Sequence, residues 1–256
     1  GGAADTVFGE SGNDNIETDG GNDSVDGGAD NDYIATFDGS DTVDGGTGND
    51  NILTGNNDDT IVLSNIFGND TITGGENGET NGDTLDISGV TSGVTLDLTN
   101  ANPETGTVSD FISTTQFSEI ENIILSAGRD TIVLADGSGA DTVQAFDITD
   151  SGDGTANDQL DVSGLNNASG EPVTTRDVVV TDDGSGNAVL TFPNGESITL
   201  VGLDPVAAND PAYLNAIGIP LPNGVVTGTA GNDLINAAYA GDPDGDFGAG
   251  IGLGSA

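Results

Sequence analysis

Aspartate recurs at every ninth position at the start of the chain, a spacing that places many oxygen ligands in phase. The series consists of Asp5, Asp14, Asp23, Asp32, Asp41, Asp50 and Asp59. Each member is followed two residues later by one valine or isoleucine. Carboxylates and glycine-rich turns supply the oxygen atoms that calcium prefers. The chain has no His and no Cys, so a histidine base, a thiolate zinc site and a Ser-His-Asp triad are excluded.

A second periodicity doubles the length of the repeat. The residue five positions before the aspartate alternates between glycine and threonine, in the series Gly9, Thr18, Gly27, Thr36, Gly45 and Thr54. The unit is therefore 18 residues long, with two unlike halves of nine. Each half has a turn rich in Gly, Asn and Asp, then three residues with an apolar one in the middle, which indicates a short strand with one inward side chain. Two turns and two strands describe one coil of a flattened β-solenoid.

Stacking of such coils aligns the aspartates in two ladders. Parallel strands lie about 4.8 Å apart, and two carboxylates at that distance repel by about 3.5 kcal/mol if the effective dielectric constant is about 20. A calcium ion between them reverses the sign, because opposite ligands of one calcium ion are about 4.8 Å apart. Magnesium, with shorter bonds and strict octahedral geometry, fits less well. We therefore predict six calcium positions between same-phase aspartates: 5/23, 23/41, 41/59, 14/32, 32/50 and 50/70.

The composition sets limits on the partners of the chain. Its 256 residues include 44 acidic and two basic ones, for a net charge of −42. This charge excludes nucleic acid, since phosphate binding needs Lys and Arg, and leaves disorder, extreme salt or neutralisation by cations. The lack of Cys fits a secreted bacterial protein, and no apolar run approaches the roughly 18 residues of a membrane span. No secretion signal is visible at the N-terminus and no initiator Met is present, so we expect a processed or partial chain.

The segment "GGTGNDNIL" (residues 45–53) resembles the RTX, or haemolysin-type, calcium-binding nonapeptide G-G-x-G-x-D-x-U-x, in which U is a large apolar residue. The resemblance implies an all-β fold, a right-handed parallel β-roll, with calcium in the turns and export by a type I secretion system. It makes the in-phase aspartates side-chain ligands, and it makes the turn glycines carbonyl ligands. These glycines are Gly9, Gly27, Gly28, Gly45 and Gly46. The chain departs from the motif at Thr18, Thr36, Thr54, Phe37, Asp30 and Asn57.

Four segments are predicted along the chain. Residues 1–73 form the regular roll, 74–171 an irregular continuation, 172–222 an antiparallel cap and linker, and 223–256 the start of a second repeat segment. The cap covers the open last coil, which otherwise exposes unpaired backbone groups, and "DPAYLNAIG" is predicted to form a short helix. Further metal ligands are predicted at Asp70, Asp130, Asp141, Asp158 and Asp233, with a candidate calcium loop at Asp242, Asp244 and Asp246.

The function indicated by this pattern is that of a non-enzymatic, calcium-binding structural module of a large secreted or surface protein, such as an adhesin, surface layer or extracellular fibre. Two alternatives stay open. One is the non-catalytic carrier segment of a secreted hydrolase or toxin, and the other is a carbohydrate-active β-solenoid enzyme that uses carboxylate pairs. Candidate partners besides calcium are other copies of the chain and cell-surface glycans. No nucleic acid and no membrane span are expected.

Overall fold

The computed structural model describes residues 2–222. Their strands form two sheets, and the inward side chains of both sheets build one continuous hydrophobic core. In the repeat block the chain alternates between the sheets, so that strand β1 (Thr6–Phe8) lies in the first sheet, β2 (Asn15–Glu17) in the second and β3 (Ser24–Asp26) again in the first. This alternation confirms the predicted β-roll.

The first sheet has ten strands in the described part of the chain. Their spatial order is β1 (Thr6–Phe8), β3 (Ser24–Asp26), β5 (Thr42–Asp44), β7 (Thr60–Ser64), β9 (Thr84–Gly89), β13 (Asn122–Ile124), β15 (Ala140–Gln144), β19 (Ser197–Val201), β18 (Ala188–Thr191) and β17 (Val179–Asp182). All neighbours from β1 to β19 pair in parallel. The sheet ends in two antiparallel pairs, β19 with β18 and β18 with β17.

The second sheet has nine strands among the same residues. Their spatial order is β2 (Asn15–Glu17), β4 (Tyr33–Asp38), β6 (Asn51–Asn56), β8 (Thr71–Thr73), β12 (Thr114–Ser118), β11 (Gly106–Ser109), β10 (Thr95–Asp97), β14 (Thr131–Ala135) and β16 (Gln159–Gly164). Its pairs are parallel except at β10–β11 and β11–β12, which are antiparallel. The chain therefore makes a three-stranded meander inside this sheet before it returns to the first sheet at β13.

The apolar residue of each repeat half lies in the core, in register with its equivalent one coil away. Val25 is paired with Val43 in the first sheet, and Ile34 is paired with Ile52 in the second. Ile34, Val43 and Ile52 are fully buried, whereas the residues on either side of Val25, Ser24 and Asp26, are exposed. The alternation along each strand thus separates a valine column from an isoleucine column, as the 18-residue period predicts.

Several turns keep the left-handed backbone of the motif although glycine is replaced. Phe37, which stands at the second glycine position, has φ 70°, close to the φ of 88° at Gly46. Asp30 and Asn57, at the fourth position, have φ values of 78° and 80°. A side chain in this region costs of order 1 kcal/mol. Asp and Asn adopt this region more readily than other residues do, so it is at Phe37 that the stacked coils impose the conformation.

Beyond β16 the roll is closed by the antiparallel strands and two short helices. Helices α1 (Pro205–Ala208) and α2 (Pro211–Ala216) each begin with a proline preceded by an aspartate N-cap, Asp204 or Asp210. α2 lies in the segment predicted to be helical. The antiparallel strands β17 to β19 confirm the predicted capping strands. Neither helix of the described residues has the length and apolar character needed to cross a membrane.

Candidate metal centre

The predicted aspartates stack in two ladders at the turns between the sheets. On one edge the backbone N–H of Asp14 donates to Oδ1 of Asp32 at 2.8 Å, and the N–H of Asp32 donates to Oδ1 of Asp50 at 2.9 Å. The other edge repeats the arrangement: Asp23 N–H donates to Asp41 Oδ1 at 2.7 Å, and Asp41 N–H donates to Asp59 Oδ1 at 2.7 Å. Each aspartate is thus one rung of a ladder. One oxygen of each carboxylate therefore holds adjacent coils together.

The second oxygen of these carboxylates is buried without a hydrogen-bond partner. Oδ2 is in this state at Asp14, Asp23, Asp32, Asp41, Asp50, Asp59, Asp83 and Asp130. From Asp23 to Asp59 the in-phase aspartates are 2–3% exposed. A buried anionic oxygen with no partner is costly, and a row of them in register adds mutual repulsion. The turns are therefore suited to bind cations, and they are unstable as bare carboxylates.

The pKa values of these groups reflect the same strain. Burial, with smaller repulsion from Asp32, raises the pKa of Asp50 to about 6, although a backbone hydrogen bond partly offsets it. Burial likewise raises the pKa of Asp59 to about 7, with added repulsion from Asp41 and Glu79. Without a cation these carboxylates favour a proton at a pH where exposed aspartates are ionised.

The two edges differ in what lies beside the carboxylates. The glycine edge comprises the turns in which Gly9, Gly27 and Gly45 precede Asp14, Asp32 and Asp50. A Cβ built on Gly27 would lie 2.6 Å from the carbonyl oxygen of Gly45 and 2.8 Å from Oδ2 of Asp32. Because φ of Gly27 lies outside the left-handed region, it is the space, rather than the conformation, that requires glycine here. A carboxylate oxygen and a carbonyl oxygen thus converge on one hollow.

The threonine edge, in which Thr18, Thr36 and Thr54 precede Asp23, Asp41 and Asp59, fills the same place with a side chain. The hydroxyl of Thr36 donates to the carbonyl oxygen of Thr54 at 2.9 Å, and that of Thr54 donates to the carbonyl oxygen of Gly74 at 3.2 Å. Both threonines are fully buried. The same two hydroxyls lower the pKa of Asp41 and Asp59, against the larger effect of burial. On this edge a neutral donor stands where the glycine edge leaves room.

The remaining glycines of the predicted site play a different part. Gly28 and Gly46 have positive φ, 100° and 88°, and a Cβ on Gly46 would overlap the carbonyl oxygen of Gly28. That same carbonyl accepts the backbone N–H of Thr47 at 2.8 Å. These two positions therefore need glycine for close stacking of the coils, while one lone pair of the Gly28 oxygen remains for a ligand.

After the regular block the ladders continue with other residues. On the glycine edge, Asp70 is the last aspartate of the ladder, and Thr115 forms the rung after it: Oδ1 of Asp70 accepts the N–H of Asp50 at 2.9 Å and its Oδ2 accepts the hydroxyl of Thr115 at 3.0 Å. On the threonine edge, Asp59 N–H donates to Oδ1 of Asp83 at 2.7 Å. Asp83 was missed by the sequence analysis because 24 residues separate it from Asp59. Its signal was present, since Leu85 follows it by two residues, as in every repeat.

The predicted ligands farther along the chain fall into separate places. Asp130 N–H donates to Oδ1 of Asp158 at 2.9 Å, and Oδ2 of Asp158 accepts the N–H of Asp147 at 2.7 Å. Asp141 lies within β15 with both carboxylate oxygens buried and without a hydrogen bond, and burial raises its pKa to about 7. Asp5, at the first coil, is exposed. Asp233 and the candidate loop Asp242, Asp244 and Asp246 lie outside the described residues.

Within residues 2–222, no three acidic side chains gather into a metal-binding group. Any cation in these turns must therefore combine one or two carboxylates with backbone carbonyl oxygens, a donor set that suits a hard cation such as calcium. The hollow between Gly27, Gly45 and Asp32 has this composition. The residues present thus fit calcium.

Parallel coils whose turns stack buried carboxylates beside carbonyl oxygens define a cation-binding β-roll. The model of the RTX calcium-binding nonapeptide repeat, built on four copies, matches residues 1–34 and 36–65. Residues 1–65 therefore carry RTX calcium-binding nonapeptide repeats, and these repeats bind calcium ions. This repeat is the one predicted from "GGTGNDNIL".

Two further comparisons add little. No curated protein matches the chain. Among solved structures, the extracellular lipase LipA from Serratia marcescens is similar at 12% sequence identity and a TM-score of 0.25, covering 78% of this chain and 38% of the lipase. The chain thus spans about 38% of the length of that lipase, and a likeness of this size carries no information about activity.

Proposed function

We propose that the chain is a non-enzymatic structural module of a large secreted or cell-surface protein, such as an adhesin, a surface layer or an extracellular fibre, and that calcium binding folds it. The observation that carries the proposal is the in-register row of buried Oδ2 atoms without partners. Such a row is unfavourable in the metal-free roll, and calcium removes the repulsion and joins adjacent coils.

Folding is then coupled to calcium concentration. With a net charge of −42 and few aromatic residues, the metal-free chain has the composition of a disordered protein. Each nine-residue half of the repeat contributes one Val or Ile to the core. So thin a core does not offset the repulsion between the stacked carboxylates. Binding free energy therefore becomes folding free energy. The chain leaves the low-calcium cytoplasm unfolded, through a type I secretion system, and folds outside the cell.

Calcium binds the glycine edge more tightly than the threonine edge. On the glycine edge, Asp32 Oδ2 and the Gly45 carbonyl oxygen face a hollow that no side chain fills. On the threonine edge, the buried hydroxyls of Thr36 and Thr54 occupy that position and already satisfy the facing carbonyl oxygens. Asp14, Asp32 and Asp50 are therefore the principal carboxylate ligands, and Asp23, Asp41 and Asp59 form the weaker sites.

The same bonding pattern argues against acid–base catalysis by the ladder carboxylates. Oδ1 of Asp32 and of Asp50 is held by a backbone N–H, and Oδ2 faces the cation hollow. A carboxylate engaged in this way is not free to transfer a proton to a substrate. The ladders therefore serve folding.

Circular dichroism of the desalted chain tests the proposal. In a chelator the spectrum should be that of a coil, and adding calcium should produce a cooperative rise of the β signal. Magnesium at the same concentration should be much less effective, because it demands shorter bonds and octahedral geometry. A β spectrum that persists in excess chelator at neutral pH would contradict calcium-driven folding.

A further inference from the structure

The meander of β10 to β12 places a row of polar side chains on the outer face of the second sheet. Thr71 is paired in register with Gln116, Gln116 with Thr107, and Thr107 with Asp97. A neighbour of each along its own strand is buried in the core: Ile72, Phe117, Val108 and Leu96. The row itself therefore faces outward, and with strands about 4.8 Å apart it spans about 14 Å.

The loop between β10 and β11 forms a wall beside this row. Row and wall bound a groove of about 330 Å³, which Thr99, Asn100 and Thr105 of the loop also line. Side chains hold the backbone of the loop: Asp97 Oδ1 accepts the N–H of Thr99 at 3.0 Å, and Asn100 Oδ1 accepts the N–H of Asn102 at 3.1 Å. Turns of this kind fix the loop locally, so the groove is formed before any ligand arrives.

The polar atoms of the row have no partners in the protein. Within residues 2–222, the side chains of Thr71, Thr107 and Gln116 make no hydrogen bond. By contrast, the hydroxyl of Ser118, two residues further along β12, donates to Oγ1 of Thr73 at 3.4 Å. The row thus presents two hydroxyls and one amide, groups that both donate and accept hydrogen bonds, to any ligand in the groove.

The groove carries little charge, in contrast to the chain as a whole. Asp97 is the only charged side chain among the residues that line it, although the chain has 44 acidic residues in 256. Without a lysine or arginine beside it, this carboxylate repels an anionic ligand. Hydroxyl, amide and carboxylate groups in one row match the closely spaced hydroxyls of a neutral sugar, each of which donates one hydrogen bond and accepts others.

A protein partner fits this lining less well. The residues that anchor protein interfaces are mainly Trp, Tyr and Arg, and none of them lines the groove. The exposed apolar residues nearest in the chain, Phe111 and Ile112, lie in the turn between β11 and β12 and outside the lining. The chemistry of the groove therefore favours a saccharide.

We propose that this groove binds a neutral oligosaccharide. The amide of Gln116 donates to one sugar hydroxyl and accepts from the next, Oδ2 of Asp97 accepts from another, and the hydroxyls of Thr71 and Thr107 complete the contacts. The groove lies outside the residues matched by the repeat model and uses none of the aspartates of the two ladders. It gives the module a ligand of its own, separate from the calcium that folds the roll.

Gln116→Ala tests the site, because it removes the amide of the row at an exposed strand position. The matched control is Gln144→Ala, at an outward position of β15 in the first sheet. Asp97→Asn is a second variant, which removes the charge and keeps an acceptor for the Thr99 N–H. Circular dichroism in calcium shows that each variant is folded.

The probes are immobilised neutral oligosaccharides of glucose, galactose, mannose and N-acetylglucosamine, with sulfated and sialylated glycans beside them. The full chain is applied in calcium, and its affinity for the glycan that binds best is then measured by calorimetric titration.

The folded wild-type chain is expected to bind at least one neutral oligosaccharide. Gln116→Ala and Asp97→Asn should each weaken this binding about fivefold or more, as expected for one lost hydrogen bond, while Gln144→Ala matches the wild type. No binding of any neutral oligosaccharide, binding of anionic glycans only, or equal losses in Gln116→Ala and Gln144→Ala would each overturn the proposal. A chain that folds without calcium would instead contradict the proposed function, so the two failures are distinguishable.

Discussion

Exchanging the residue types of the two edges should exchange their affinity for calcium. In Gly27→Thr the new Cβ would lie 2.6 Å from the Gly45 carbonyl oxygen and 2.8 Å from Asp32 Oδ2. Both distances are shorter than real Cβ contacts allow, so the side chain and a cation cannot share the hollow. Thr36→Gly makes the opposite change, since it empties the position beside Asp41.

The size of the effect of Gly27→Thr follows from the repulsion between the carboxylates that lose their cation. Carboxylates on adjacent coils, about 4.8 Å apart, repel by about 3.5 kcal/mol at an effective dielectric constant of about 20. This is an upper value, because Asp50 on the same edge, with a pKa of about 6, can take up a proton instead. Gly27→Thr should therefore reduce the calcium-dependent folding constant by up to about two and a half powers of ten.

Thr36→Gly should stabilise the folded chain in calcium and destabilise the folded chain in chelator. Loss of the 2.9 Å hydrogen bond from Thr36 to the Thr54 carbonyl oxygen should weaken the metal-free state by about 1 kcal/mol. In calcium, the freed oxygens of Asp41 and Thr54 should bind an ion more tightly, so the folding midpoint should move to lower calcium concentration.

Calcium titrations followed by circular dichroism, at neutral pH and fixed ionic strength, measure both midpoints. The expected pattern is a higher midpoint for Gly27→Thr and a lower one for Thr36→Gly. If both variants shift the midpoint in the same direction, or Gly27→Thr leaves it unchanged, the difference between the two edges has no bearing on calcium affinity.

Three other predictions follow from the buried carboxylates and the core. Burial raises the pKa of Asp59 to about 7 and that of Asp83 to about 8, above the unfolded value of about 3.9, so the folded metal-free chain binds more protons. Its stability should therefore fall as pH rises from about 4 to about 8, and in chelator the β signal should return on acidification; a flat pH profile would show that these carboxylates are not strained. Asp32→Ala should weaken cooperative calcium-dependent folding, whereas Glu17→Ala, on an exposed strand position, should not, and equal midpoints would contradict the register. Ile52→Ala, at a fully buried position, should lower the free energy of unfolding in calcium by about 2–5 kcal/mol, as judged by denaturant titration, and no loss would mean that the isoleucine column carries little of the core.

Sequence alone determined the regular part of this protein, because there each structural feature is local and repeated. The 18-residue unit places Val25 and Ile34 in opposite sheets, and the alternation along each strand turns them inward. It also places Asp32 and Asp50 on the glycine edge. Asp41 lies on the threonine edge, with the other aspartates of that edge. A pattern that recurs at constant spacing has one stacking register, so it can be read without knowing any distant contact.

Tertiary structure alone decided what happens where the spacing changes. The rung after Asp59 is Asp83 and the rung after Asp70 is Thr115, although 24 and 45 residues separate the partners. The length of an insertion does not tell which strand will lie beside the last coil, and the meander of β10 to β12 inside the second sheet has no signature in the period.

Tertiary structure also decided which oxygens remain for a cation. Both carboxylate oxygens of Asp70 are hydrogen-bonded, whereas Oδ2 of Asp83 has no partner, and the sequence presents the two residues alike. The carbonyl oxygen beside Asp83 belongs to Glu119, on another strand end. Hydrogen-bond satisfaction and burial depend on neighbours brought together by folding, and for that reason the motif identifies the ligand type while the packed coils select the ligand atoms.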